Sequence, residues 1–594
     1  MISFWDKNKR IIRIVVIGLS VSYIIFTALI LLNGSFREFV INVAESLMGR
    51  GLDHDHWNRW FFGYRFIFVS CFCIICAWFF ITDPGIKFLS FMKKCVIEIG
   101  VEAKDSYIIY LIGITLAFCL FLNGFWASDF YPNYQYQSYS FYVPQIGGEL
   151  LVFDRPLTHL VFNINPILNI WGINVYNSRW LSEITGMMLF ALCAALLEKS
   201  LLRIIKQEVN IWILRVCVFI CFVNPFIVEA YCFTPFDFAI GILCDVLFVC
   251  LIIRKRWIMA SFMAFIAEGF YESNITIIIV LSVTAIFILN VDKNVLMVIN
   301  EEIKGIFSAF VGAGSYMVLY KAEIMIFGTM YDGKDIKFMA GQKSVFDYFM
   351  YFAELVSGMY IKPHGYMPEY SVALYLIVIF LIVFLFLVIR KEYRKTLIYS
   401  LFYFVCIICP FIYCIATVYG SYARLLFSYF FAIGMVSLVS YIMLSSDVRV
   451  RSVVGSFVVT FFMLVVFMTQ TFIADTFIGQ ALSWNIAHMV EDRIEEYEEY
   501  TGLEVKTIVV RGCDSIRDFY EEQLVNREFT YAHPVIYDKW AQGEFLNFVN
   551  KTDYDHREMT LDEYEKYFHK KDFDSFNLKD QMVFVGSTAY WVIY

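Results

Sequence analysis

Residues 371–389 read SVALYLIVIFLIVFLFLVI, a run without a single charged residue. An α-helix rises about 1.5 Å per residue and the hydrocarbon core of a bilayer is about 30 Å thick, so a run of this length crosses a membrane. The same character recurs along the 594 residues of the chain, which are 60% hydrophobic and 17% charged. We therefore predict a polytopic α-helical membrane protein.

Apolar runs of this kind predict about 13 transmembrane helices. They lie near residues 11–32, 61–81, 107–126, 180–198, 211–230, 236–253, 257–269, 273–291, 305–325, 371–389, 396–417, 424–443 and 453–472. Lys and Arg precede the first run and recur in the segments 254–256, 390–395 and 449–451, whereas the short loops 231–235 and 270–272 have neither. The positive-inside rule then places the N-terminus in the cytoplasm and the C-terminus outside.

The tail differs in composition from the rest of the chain. Residues 475–501 predict an amphipathic helix that ends near Gly502, and 505–510, 581–586 and 589–594 have strand-like character. We expect three parts: a two-helix membrane extension (1–95), a transmembrane domain (96–472) and a small extracytoplasmic α/β domain (473–594). The net charge of −8 has no basic stripe beside it, so no nucleic-acid partner is expected.

A long polar and aromatic segment follows the third predicted span. Residues 124–163 read GFWASDFYPNYQYQSYSFYVPQIGGELLVFDRPLTHLVFN. Asp129 lies just beyond the span, where an external carboxylate is able to act as a general base; the alternative is a solvated residue at a helix end. Asp154 and Arg155 offer a sugar or phosphate site, or simply a local pair at the start of a helix beginning at Pro156.

Further polar residues lie at the predicted external ends of helices. Asp237 is in TPFDF, while Glu268, Tyr271 and Glu272 are in the tight turn EGFYESN. Carboxylates at membrane depth are costly and usually face a cavity; the alternative is simple placement at the interface. Arg424 in YGSYAR holds a lipid phosphate or reaches from the helix end to the interface. Residues 53–56, DHDH, offer alternate ligands but no third group, so we predict no metal site.

These motifs together resemble one family. The chain from about residue 107 onward is similar to the bacterial Gtr type II glucosyltransferases, membrane enzymes of the GT-C type that decorate O-antigen and related surface polysaccharides. The resemblance rests on SDF at 128–130, DRPL at 154–157, YCFTPFDF at 231–238, FYES at 270–273, SYARLL at 421–426 and the external tail. Only Asp129 stands where the family often has paired acidic residues, and Asp154 replaces a glycine.

The resemblance implies a glycosyltransferase in the bacterial plasma membrane. Its donor is a polyprenyl-phosphate-linked hexose, expected to be glucose, and its acceptor is a cell-surface polysaccharide. Asp129 is then the general base, Arg155 and Arg424 are candidates to hold the phosphate, and Asp237, Glu268 and Glu272 contact sugar hydroxyls or support Asp129. No cofactor is required, because the lipid phosphate is the leaving group.

Three other functions stay open. A polysaccharide polymerase is expected to use arginine-rich external loops, yet 326–370 contains lysines without arginine. A glycan-lipid transporter is expected to have broken helices that meet at the membrane midplane. A non-catalytic scaffold for the tail leaves residues 127–163 unexplained.

Overall fold

A computed structural model describes most of the chain. The described residues are 18, 22–23, 25–26, 29, 33–48, 83–123, 179–232, 235–327, 345–363, 365–417, 423–512, 535–537, 541–569, 571 and 577–593. They form two compact units. The smaller unit contains the described residues up to Asp105 together with 315–327, and the larger unit contains the other described residues. The larger unit holds the polar residues discussed below.

The described membrane region is helical. Its helices are α1 (Gly34–Met48), α2 (Asp83–Phe118), α3 (Arg179–Ile204), α4 (Ile211–Phe222), α5 (Pro225–Cys232), α6 (Pro235–Ile253), α7 (Trp257–Phe270), α8 (Asn274–Asn290), α9 (Val295–Phe327), α10 (Val345–Ile361), α11 (Ser371–Ile389), α12 (Tyr393–Ile408), α13 (Ile412–Thr417), α14 (Phe427–Met443) and α15 (Val448–Thr501). Short 3₁₀ helices follow α2 (Cys119–Asn123) and α12 (Cys409–Phe411) and precede α14 (Ala423–Leu425).

Five described segments are long and apolar enough to cross a membrane, or six if one bent pair counts as a single span. They are Ala103–Leu122, Pro235–Ile253, Ser371–Ile389, Tyr393–Cys414 and part of Val448–Thr501, with α4 and α5 as the bent pair. Three further apolar helices, α7, α8 and α14, have 10–17 residues. The chain is thus a helical membrane protein, while the number of 13 spans stays a prediction. The predicted span 61–81 and most of 11–32 lie outside the described residues.

The predicted span over 211–230 is not one continuous helix, because the helix breaks. α4 and α5 meet at an angle of 48°, and Pro225 begins α5, where it lacks a backbone N–H and disfavours helical geometry in the preceding residue. Asn224 compensates for the break. Its Nδ2 donates to the carbonyls of Ile220 (3.1 Å) and Cys221 (3.0 Å), and its Oδ1 accepts from Phe226 N and Ile227 N.

A buried carboxylate joins α2, α3 and α4. Glu198 of α3 accepts hydrogen bonds from Ser106 Oγ and from Tyr110 Oη, the latter at 2.8 Å. Arg215 Nε of α4 lies 3.2 Å from the same carboxylate, and the Arg215 guanidinium stacks over Trp212. A carboxylate buried in an apolar bundle is costly unless it is paired and hydrogen-bonded, so this network makes the approach of the three helices specific.

α15 continues without interruption from the membrane into the C-terminal region. The sequence predicted a span at 453–472 and a separate helix at 475–501, but one helix of 54 residues covers both. Gly502 ends it in the left-handed conformation (φ 69°), with its N–H bonded to Glu498 O. Asp447 caps its N-terminus by accepting from the N–H groups of Arg449 and Val450. The predicted helix end near Gly502 is confirmed.

The C-terminal region is a small α/β arrangement. It contains β1 (Thr507–Gly512), α16 (Gln542–Asn550), β2 (Asp555–Glu558), α17 (Leu561–Phe568), α18 (Leu578–Gln581), β3 (Met582–Val585) and β4 (Thr588–Ile593). The sheet order is β2-β1-β4-β3, with β1 parallel to both neighbours and β3 antiparallel to β4. α15 packs through Ile486, Val490 and Ile494 on one face of the sheet, and α17 packs through Phe568 on the other.

Candidate functional site

Five of the eight predicted site residues lie in the described part of the chain. They are Asp237, Glu268, Tyr271, Glu272 and Arg424. Asp129, Asp154 and Arg155 lie outside the described residues, as do residues 53–56. The site is therefore built from α3, α5, α6, the α7–α8 turn and the segment before α14.

Arg424 is the centre of this arrangement. Its Nη1 donates to Glu229 Oε1 at 2.7 Å, and its backbone N–H donates to Glu229 Oε2 at 2.7 Å. Glu229 of α5 is 1% exposed, whereas the Arg424 side chain is 23% exposed. The carboxylate is thus held by two donors of one residue. A charge-assisted pair of this kind fixes the orientation of the guanidinium.

The α7–α8 turn is held against the same segment. Ser273 Oγ donates to the Arg424 carbonyl at 3.3 Å. The ring of Tyr271 packs against Phe238 (4.8 Å between centroids), and Phe238 packs edge-on against Phe427. Asp237 directly precedes Phe238 in the sequence, and Glu272 directly follows Tyr271. The structure therefore brings the predicted turn, the start of α6 and Arg424 together.

Three carboxylates lie in or near the α7–α8 turn. Glu268 at the end of α7 and Asp245 of α6 are buried, and Glu272 is 7% exposed. The charges of Asp245 and Glu272 both act on Glu268. Gly241 of α6 makes this approach possible, because a Cβ there would collide with Asn274 Nδ2. Asn274 in turn donates to Ala267 O at 3.0 Å and so ties the turn to α7.

Tyr231 connects the site to the end of α2. Its ring stacks on Phe118 at 4.4 Å and lies 5.5 Å from Phe121. Glu183 of α3 is fully buried and interacts electrostatically with the Tyr231 phenol. Gly186, one turn along α3, packs so closely on Pro235 that a Cβ there would lie 2.7 Å from the proline Cβ. The start of α6 is thereby held against α3.

Two features of this site were not predicted from the sequence. One is the presence of Glu183, and the other is the pairing of Glu229 with Arg424. A usable signal existed for the second, since a single acidic residue in the apolar segment PFIVEAYC requires a cation or a set of donors. The partner is 195 residues away, so the sequence offers no local means of choosing it.

The group can be described chemically as six buried carboxylates with two buried tyrosines and one arginine. The carboxylates are Glu183, Glu229, Asp237, Asp245, Glu268 and Glu272. Carboxylate and phenol oxygens accept hydrogen bonds from hydroxyl groups, and a guanidinium recognises phosphate. Within the described ranges, no group of three or more His, Cys, Asp or Glu is arranged to hold a metal ion.

Comparison with known proteins adds one finding. A family model described as Glucosyl transferase GtrII matches residues 130–441, which include α3 to α13, all but the last two residues of α14, and every described residue of the site except the end of α2. No curated protein and no solved structure matches the chain.

Proposed function

Since the chain belongs to the GtrII family of glucosyl transferases, we propose that it moves a glucosyl residue from a polyprenyl-phosphate donor to a surface polysaccharide. The observation that carries this proposal is the Arg424–Glu229 pair beside a group of buried carboxylates. One cation for a phosphate and many acceptors for hydroxyl groups suit a donor that is half sugar and half lipid phosphate.

The proposed step needs one base and one leaving group. The Asp129 carboxylate takes the proton of an acceptor hydroxyl, and the oxygen of that hydroxyl forms a bond to the anomeric carbon of glucose. The bond from that carbon to the phosphate oxygen breaks, and polyprenyl phosphate leaves with the bonding electrons. Arg155 and Arg424 stabilise its charge. Asp154, Asp237, Tyr271 and the carboxylates of Glu268 and Glu272 bind the sugar.

Chain length supports the role of Asp129. Phe121 lies 5.5 Å from the ring of Tyr231, and Asp129 follows Phe121 by eight residues. Eight residues span at most about 28 Å. Asp129 is therefore within reach of the group formed by Tyr231, Glu229 and Arg424.

We further propose the GT-C-like architecture that accompanies this chemistry. About 13 spans place the N-terminus in the cytoplasm of a bacterial cell and the C-terminal α/β domain outside the plasma membrane. The division into 1–95, 96–472 and 473–594 belongs to the same proposal. With this orientation the α7–α8 turn and Arg424 lie on the outer side, where lipid-linked sugar meets polysaccharide.

The broken helix favours a transporter as the second candidate, because transporters bind ions at the carbonyls exposed by such breaks. Here, however, the Asn224 amide donates to the carbonyls of Ile220 and Cys221. Two of the carbonyls near the break are thus engaged by the protein itself. The bend instead directs α5, and with it Glu229, toward Arg424.

The test is glycan analysis of the native surface polysaccharide in a deletion strain complemented with wild type, Asp129→Asn or Asp292→Asn. Asp292 is an exposed carboxylate in the α8–α9 turn and serves as the matched control. We expect the glucose branch to be absent in the deletion strain, restored by wild type and Asp292→Asn, and absent with Asp129→Asn.

The same experiment separates the alternatives. A glycan unchanged by deletion would favour a transporter or scaffold and overturn the proposal. A shortened main chain with its branches intact would identify a polymerase. Full restoration by Asp129→Asn would leave glucosyl transfer in place and remove Asp129 as the base.

A further inference from the structure

A separate cavity lies at the opposite ends of α6 and α8 from the site above. It lies where the α6–α7 turn meets the α8–α9 turn and has a volume of about 100 Å³. Its polar lining comes from Lys255, Lys293, Asn290 and Glu301, and its walls come from Trp257 and the aliphatic side chains of α6 and α8. The proposed glucosyl transfer makes no use of it.

The charge of the cavity is positive where a ligand would enter. Glu301 pairs with Lys304 at 2.6 Å, and the charges of Lys255 and Lys293 also act on its carboxylate, so three lysines surround this one acidic residue of the lining. Within the part of the chain that the structure describes, the Lys255 and Lys293 ammonium groups have no carboxylate within 4.0 Å, and both residues are exposed. Arg394 adds a third cation by donating to Val291 O in the α8–α9 turn at 3.3 Å.

The backbone holds Lys255 in an unusual conformation. Its φ is 56°, the left-handed region that glycine normally occupies after a helix. Its N–H bonds to Ile252 O at 2.8 Å, and the next N–H bonds to Leu251 O, so the turn is well formed. A glycine would satisfy this geometry at lower cost. In this conformation Lys255 lines the cavity.

The surface beside the cavity is apolar. Ile258 is 87% exposed and Leu296 is 74% exposed, and these residues begin the two helices that follow the basic turns. Ile303, two residues beyond Glu301, is 59% exposed. In a membrane protein such side chains face acyl chains. A basic opening with exposed apolar side chains beside it suits a ligand that has both an anionic headgroup and apolar tails.

We propose that this cavity binds an anionic phospholipid. The lipid phosphate lies between Lys255 and Lys293, its glycerol backbone lies against Trp257 and Asn290, and its acyl chains run along the exposed aliphatic residues of α7 and α9. Basic pockets between helix ends bind anionic headgroups through this combination of point charges and apolar contact. The site is independent of glucosyl transfer.

The experiment uses the full-length protein in a neutral detergent, titrated with brominated phosphatidylglycerol. Bromine quenches nearby indole fluorescence, and the signal of Trp257 is obtained as the difference between wild type and Trp257→Phe. We expect saturable quenching of Trp257 by brominated phosphatidylglycerol and much less by brominated phosphatidylcholine. We expect Lys255→Gly and Lys293→Gln each to weaken the phosphatidylglycerol affinity about fivefold.

Lys391→Gly is the matched control. Lys391, two residues beyond the end of α11, has a φ of 59°, the same left-handed geometry as Lys255, but it does not line the cavity. Lys391→Gly removes the same charge and relieves the same backbone strain, and we expect it to change the phosphatidylglycerol affinity less than twofold. Equal losses of affinity in Lys391→Gly and Lys255→Gly would mean that the lipid responds to general membrane electrostatics, and the proposed site would be wrong.

Two further outcomes also contradict the proposal. Equal quenching by the zwitterionic lipid would mean that the headgroup charge is not recognised. Competition by glycerol 3-phosphate at the concentrations at which the lipid binds would identify a soluble phosphate as the ligand. Because Lys255→Gly relieves backbone strain, it is expected to fold at least as well as wild type, so a loss of binding is not explained by unfolding.

Discussion

Arg424 and Glu229 are 195 residues apart in sequence, yet one carboxylate of Glu229 accepts both the side-chain and the backbone N–H of Arg424, each at 2.7 Å. This contact joins the short helix α5 to the segment that precedes α14. Because of this contact, the bend between α4 and α5 determines where the Arg424 guanidinium lies. Stability and the proposed chemistry therefore depend on the same pair.

The first prediction concerns a variant that removes the negative charge of Glu229 and keeps the size of its side chain. Glu229→Gln removes the carboxylate charge that pairs with Arg424, and we expect the free energy of unfolding to fall by about 2 kcal/mol, since one partner of the pair is partly exposed. Glucosyl transfer should fall as well. Glu496→Gln, which breaks an exposed pair with Arg493 on α15, should cost less than about 0.5 kcal/mol. Denaturation in detergent measures both, and equal costs would contradict the structural role of Glu229.

The second prediction concerns the Glu198 network. Tyr110→Phe removes a hydroxyl that lies 2.8 Å from a buried carboxylate, and we expect a loss of about 2 kcal/mol, because hydrogen bonds to charged groups are the stronger ones. The control is Tyr399→Phe, which removes a buried bond to the neutral Ser440 hydroxyl at 2.8 Å. That change should cost about 1 kcal/mol. A larger loss for Tyr399→Phe would show that the Glu198 charge is compensated without Tyr110.

The third prediction compares two glycines of α9. At Gly312 a Cβ would meet the Ser261 carbonyl oxygen and would lie 2.6 Å from Ala264 Cβ, whereas at Gly314 nothing lies within 4 Å. We expect Gly312→Ala to destabilise the protein by about 1–3 kcal/mol through overpacking against α7. Gly314→Ala should instead stabilise it by about 0.5–1 kcal/mol. Thermal unfolding of the two variants decides this, and stabilisation by both would mean that α7 and α9 are not in close contact.

The fourth prediction is a pH dependence in the C-terminal region. Burial lowers the pKa of His556 on β2 from 6.5 to about 4. Between these pH values the unfolded chain binds a proton that the folded chain does not, so stability rises with pH over this range. Hydrogen-exchange protection of α16 and β2 should therefore fall as the pH is lowered from 7 to 4.

His556→Phe keeps a ring in place and should remove most of that pH dependence. The comparison variant is His569→Phe, which changes an exposed ring just beyond α17 and leaves His556, and the fall in protection assigned to it, in place. Gly543 faces the His556 ring so closely that a Cβ there would collide with the ring Cγ. The ring is thus confined, and retention of the full pH dependence in His556→Phe would assign it to another group.

Much of the fold could be predicted from the sequence, because the pattern of hydrophobic residues indicates most of the helices and strands. The predicted run 371–389 coincides with α11, and β1, β3 and β4 occupy the three predicted strand segments. β2, with the sequence DHRE, was not predicted, since an exposed edge strand needs no apolar residues. α10 lies within a segment that was interpreted as a loop, although VFDYFMYFAELVSGMYI has helical periodicity.

The site was predictable by residue type more than by arrangement. Acidic residues in apolar helices are conspicuous, and Asp237, Glu268, Glu272 and Arg424 were identified for that reason. Their grouping depends on which helices meet, and pairs such as Glu229–Arg424 join residues 195 positions apart. The break at Asn224 was visible as Pro225 within an apolar run. What the sequence did not reveal is that the break turns Glu229 toward its partner.

The uninterrupted course of α15 has a mechanical consequence. A helix of 54 residues is about 80 Å long, and its far end is part of the core of the sheet. Each residue inserted within it would raise the sheet by about 1.5 Å and rotate it by about 100°, whereas seven inserted residues would nearly restore its facing direction. The number of residues in α15 therefore sets both how far the α/β region stands from the bilayer and which way it faces.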